Sequence, residues 1–161
     1  MIDPWYAELE AALDVPYSFE RRPDPIAASM RPERRVPLLL LLVAKSHGSG
    51  ASWKALQLLS WAVRSPEHIH LISQIRDGED VPDQPLVRFE PALDRAIDLA
   101  VGLNLLEDKK NRVYRLTNDG RALVKAVQKS NAFERERSML DQIEGKVTQK
   151  EVSRIIEWRH I

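Results

Sequence analysis

From Leu86 to Leu123 the chain reads without a break as an extended entry, a helix, two short strands joined at a turn, and a closing helix. Leu86–Phe89 has strand character. Within PALDRAIDLAVGLN, residues 91–104, Leu93, Ala96, Ile97, Ala100 and Val101 recur at the spacing of one buried helical side, and Gly102 lets the helix end. LLEDKK and RVYRLT then flank a turn near Asn111, with Val113 and Leu116 set against Arg112 and Arg115 as in a strand with one wet side. Thr117 is placed to cap the next helix, DGRALVKAVQKS.

That succession is the back half of a winged helix, so the expected fold is mainly α, a helical core with a two-stranded β wing and extra N- and C-terminal helices. In a DNA-binding winged helix the helix before the wing enters the groove, where phosphates call for Lys and Arg. The expected solvent positions here are Asp94, Arg95 and Asp98, two acids against one base. This helix is built to pack on protein. The wing gathers Lys109, Lys110, Arg112 and Arg115 around Tyr114 and supplies the candidate phosphate contacts. A basic turn also blunts the edges of an exposed hairpin. Duplex DNA is therefore expected to bind weakly, or only within a complex.

Upstream, the run LLLLLVA from Leu38 has no polar side and predicts a helix surrounded on nearly all sides, broken by Gly48-Ser49-Gly50. Ser52 caps WKALQLLSWAVR, in which Leu56, Leu59 and Val63 form an apolar stripe and Lys54, Gln57 and Arg64 a polar line. Trp61 falls on that polar line and must be covered by the segment 66–77 or by another chain. Ile69, Ile72 and Ile75 predict a third helix over 67–77, and GEDVPDQP a loop.

At the N-terminus, Asp3-Pro4 starts a helix of about ten residues carrying Trp5 and Leu9. Five of the ten prolines fall from Pro16 to Pro37, which predicts an extended arm. Near the other end Thr148 and Glu151 form a capping box and Val147 and Val152 a hydrophobic staple, so a helix begins there and presents Val152, Ile155, Ile156 and Trp158. A charged helix containing ERERSMLDQIE precedes it. The expected division is 1–37 (helix and arm), 38–130 (winged helix) and 131–161 (helical extension). The terminal helices are expected to dock on another chain, leaving a folded core if residues 1–30 or 147–161 are removed.

Composition narrows the function classes. Over 161 residues, 24 basic and 24 acidic side chains cancel, although 13 Lys/Arg against 9 Asp/Glu lie from Leu105 onward, so phosphate contacts are expected C-terminally. Cysteine is absent, which excludes disulfides and thiolate metal sites and suits a reducing, cytoplasmic compartment. The longest apolar run, Val36–Ala44, is too short for a bilayer. HGSGAS lacks the Lys-Ser/Thr ending of a phosphate loop, His68 and His70 are two apart rather than the four of a helical zinc pair, and the Glu144-Gly145-Lys146 sequence after Asp141 lies at a helix junction instead of on a nuclease strand. No enzyme activity, cofactor or metal is expected.

The stretches RPERRVPLLLLLVAKSHGSGASWKALQLLSWAVRSPE and LVRFEPALDRAIDLAVGLNLLEDKKNRVYRLTNDGRAL, roughly residues 31–125, resemble the small middle components of bacterial ABC-three-component and Lamassu-type defence systems. The resemblance is one of pattern. It implies a non-enzymatic winged-helix accessory subunit that sits with an SMC-like coiled-coil ATPase and an effector, often a nuclease. The partner-binding candidates are Trp5, Leu9, Trp61, Asp94, Arg95, Asp98, Val152, Ile155, Ile156 and Trp158. A dimeric winged-helix transcription regulator, using the wing on DNA and the terminal helices for dimerisation, is the alternative.

Overall fold

The fold is organised around a helix with no water-facing side along its second half. In the computed structural model, which describes residues 4–13, 27, 30–78, 87, 89–143 and 145–157, α2 runs Pro32–Lys45 and buries Leu39, Leu40, Leu41, Leu42 and Val43. Helix α1 (Pro4–Leu13) precedes α2. Helix α3 (Trp53–Ala62) packs on α2, followed by α4 (Pro66–Asp77) and α5 (Pro91–Gly102), the latter also lying on α2. The strands β2 (Leu106–Lys109) and β3 (Val113–Leu116) lead into α6 (Asn118–Lys129), α7 (Glu134–Gln142) and α8 (Gln149–Glu157).

Helix α2 begins six residues earlier than the run of leucines predicts, and Pro37 lies inside it. Proline within a helix loses one backbone hydrogen bond and crowds the preceding turn. Burial of the flanking Val36 and Leu39–Val43 stabilises the helix despite that loss, while Pro32 at its first position has a φ suited to helix entry. The expected arm therefore stops short of Pro32, and the boundary drawn at 37/38 falls within a helix. The remainder of the arm lies almost wholly outside the described residues.

A third strand replaces the break expected after α2. His47–Ser49 forms one short 3-10 turn with Gly48 in the left-handed region, and β1 (Gly50–Ser52) then pairs antiparallel with β3, Ala51 opposite Tyr114. Strand β3 also pairs with β2, Leu106 opposite Leu116, giving the order β1-β3-β2. The strand expected over Leu86–Phe89 is not formed at Val87 or Phe89, and its other two residues lie outside those described. Tyr114, expected to sit among the wing cations, is buried with Leu116 against the helices.

The C-terminal helices share this core. Met139, Leu140 and Ile143 of the α7 region, and Val147 and Val152 around α8, belong to the same buried cluster as α2 and α3. Val152 is 0% exposed, and Ile155 and Ile156 pack against the cluster. These three residues, expected to face a partner, instead cover α3. The reason is visible in the attachment: His47 N–H donates to Val147 O at 3.2 Å, and Arg76 pairs with Glu151 at 2.9 Å, tying α8 to β1's approach and to α4. The capping box forms as read, with Thr148 N–H donating to Glu151 and Glu151 N–H to Thr148 Oγ1. Among the described residues no helix is long and apolar enough to cross a membrane.

Candidate interaction face

Helix α5 is held at its N-terminus by side chains from α3. Gln57, expected on a solvated line, is 1% exposed; Glu90 N–H donates to its Oε1 at 2.9 Å. A buried amide of this kind satisfies backbone that helix geometry leaves unpaired. Trp53 Nε1 donates to Asp94 Oδ1 at 2.5 Å, so Asp94 is a partly buried internal acceptor rather than the free acid expected from its helical position. An acid in the first turn also complements the helix dipole. Glu90, the residue before α5, is gripped by Arg35 and Arg64, one on each carboxylate oxygen.

With Leu93, Ala96, Ile97 and Ala100 inward, α5 exposes Arg95, Asp98 and Leu99, followed by Leu103 at 55% exposure just beyond its end. Phe89, also exposed, leans on Trp53 at 4.9 Å between ring centroids. Leu99 and Leu103 escaped the sequence reading even though they stand four and eight residues after Arg95, on the same helical line. That spacing was the available signal. The exposed side thus combines one cation, one acid and two leucines.

Trp61 is the clearest correction among the partner candidates. It is 6% exposed because the His68 ring of α4 stacks on it at 3.8 Å, with His68 Nδ1 2.8 Å from Trp61 O. Its cover is intramolecular. Trp5 and Leu9 of α1 remain exposed, as a partner-binding role requires, whereas Trp158 lies outside the described residues.

The four cations expected to touch phosphate, on the β2–β3 hairpin, are exposed but not equivalent. Lys109 pairs with Glu107, and the guanidinium of Arg112 lies 5.2 Å from the Trp53 ring centre while its carbonyl accepts from Trp53 N–H at 3.0 Å. The Arg115 stem crosses Gly50, and Lys110 stands at the turn beside Asn111 and Arg112, both in the left-handed region. Two of the four therefore already have partners inside the chain. Among the described residues no three His, Asp or Glu side chains gather as a metal site would need.

Two carboxylates are held below their ordinary pKa by the groups around them. Burial would raise the pKa of Glu90, but its two arginines outweigh this and hold it below the usual 4.5. Burial acts likewise on Glu151 and is outweighed by Thr148 and Arg76. For a carboxyl depressed in the folded state, the stabilisation is complete above the unfolded value and disappears as pH falls through the folded one. The melting temperature is thus expected to hold steady from pH 7 to pH 5, as far as these groups control it, and to fall below about pH 4.5. Glu90→Gln and Glu151→Gln should each melt lower at neutral pH and show a shallower acid fall; an unaltered acid slope would refute this assignment.

Comparison with protein-family models, with curated proteins and with solved structures returns no match.

Proposed function

We propose that the chain is a non-enzymatic winged-helix accessory subunit which binds an SMC-like coiled-coil ATPase, and with it an effector, in a cytoplasmic antiphage defence complex. The order helix α2, strand β1, helix α3, helix α5 and wing β2–β3, with β1 joining β3, supports the winged-helix assignment, α4 being an insertion between the second and third helices. The partner class rests on the resemblance of residues 31–125. The single observation that carries the interaction reading is the exposed side of α5, where Asp98, Leu99 and Leu103 accompany only one cation, Arg95. Such a surface offers apolar contact to a protein and little counterion release to a nucleic acid.

Co-expression with a coiled-coil ATPase encoded beside this chain provides the test. The two should co-elute, and Arg95→Glu with Leu103→Glu should weaken the association by tenfold or more, about 1.4 kcal/mol, without lowering the melting temperature because both side chains are exposed. The chain alone should bind duplex DNA without sequence preference. Failure to associate, or a nanomolar sequence-specific complex with DNA at physiological salt, would overturn the proposal, the latter in favour of the dimeric regulator.

A further inference from the structure

Between the start of α2, the end of α3 and the start of α7 lies a cleft of about 390 Å³, well separated in chemistry from the α5 face. Arg34, Arg35, Arg64 and Arg135 line it against only Glu90 and Glu136, a net charge of +2. A surplus of guanidinium groups in one concavity raises the local concentration of anions. The pairing inside it is also incomplete. Glu90 holds Arg35 and Arg64 and Glu136 holds Arg34, but Arg135 has no ion-pair partner among the described residues. Arg35 Nε is buried with no hydrogen-bond acceptor among the described residues. Buried donors of this kind normally find a partner.

We propose that this cleft is a binding site for a small molecule bearing a terminal phosphate, with Arg135 as its principal exposed anchor. Arginine binds carboxylates and phosphates through the same planar fork, and Arg35 and Arg64 already hold the Glu90 carboxylate from its two sides. The carboxylate is thus a singly charged internal occupant of a clamp with capacity for more. A phosphate monoester, carrying between one and a half and two negative charges at neutral pH, roughly matches the remaining charge. The cleft is larger than a phosphate group alone, and its volume lies within the range of small-molecule sites. Leu38 and Val63 supply an apolar wall for the rest of the ligand.

Titration calorimetry on the full chain tests this, with inorganic phosphate and a nucleoside 5′-monophosphate as probes and sodium chloride at matched ionic strength as the blank. Both probes should bind saturably, the monophosphate more tightly. Arg135→Gln should weaken binding by roughly tenfold, the loss expected for one charged hydrogen-bonding group. Because Arg135 is exposed, the fold should be unaffected. Lys129→Gln, which removes an equal charge outside the cleft, should bind like the parent. The proposal is overturned if neither probe binds beyond the chloride blank, if the monophosphate binds no better than phosphate, or if the two variants lose affinity equally.

Discussion

A chain ending at residue 146 is expected to lose its cooperative unfolding transition. The deletion removes α8 together with Val147 and Val152, both buried, and it uncovers the side of α3 that receives α8. It also breaks the Arg76–Glu151 pair and the backbone bond from His47 to Val147. Each buried aliphatic side chain contributes about 1.5–3 kcal/mol, so the loss of two, along with the packing of Ile155 and Ile156, approaches the 5–15 kcal/mol that separates most domains from the unfolded state. Urea denaturation followed by circular dichroism should show a broad, shallow change in place of a sigmoid. The single substitution Val152→Ala provides a graded version, with an expected cost of about 2 kcal/mol from lost burial plus the cavity left behind. A truncated chain with the parent's midpoint would mean that α8 is an appendage after all, as the sequence alone suggests.

What could be read from the sequence depends on whether the controlling interaction is local. Helices α5, α6 and α8 and the wing were legible because caps, turn residues and apolar spacing lie within a few positions of one another; the Thr148–Glu151 box is the clearest instance. Strand β1 was not. Its three residues, Gly50–Ser52, have no alternation to detect, and their strand character comes from pairing with Val113–Arg115, more than sixty residues away. Gln57 misled for a similar reason. Its helical position reads as solvated, yet its partner is the backbone of Glu90, thirty-three residues later at the start of α5. The helical line from Arg95 to Leu103 shows the opposite case: the exposed leucines of the proposed interaction face were present in the spacing and required only that the outward side of α5 be read for apolar residues as well as charges. The arginine cleft had no sequence signal, since its four cations come from α2, the turn after α3 and α7, segments far apart in the chain.

Gly120→Ala is expected to destabilise the fold by about 3 kcal/mol or more, at the upper end of what overpacking a core costs. Gly120 sits in the first turn of α6, and its N–H donates to Thr117 Oγ1 at 3.0 Å, which fixes the helix start. Thr117 is itself anchored, with its N–H donating to Leu105 O at 3.2 Å and its hydroxyl to Asn104 O at 2.6 Å. These bonds draw the first turn of α6 against the end of α5. A Cβ on Gly120 would lie 2.1 Å from the Leu105 carbonyl oxygen, a backbone atom that cannot rotate away. Relief requires α6 to move off Leu105, and that motion pulls on the cap, on Leu106 opposite Leu116, and on Val124 and Val127 against α2. Gly102 is a suitable control, because a Cβ there meets nothing within 4 Å. Gly102→Ala should melt within a few degrees of the parent or above it, since alanine favours the helical conformation. Equal melting temperatures for the two variants would mean that the junction of α5, the β2–β3 hairpin and α6 yields easily, and the close approach at Gly120 would then not set the hairpin's position.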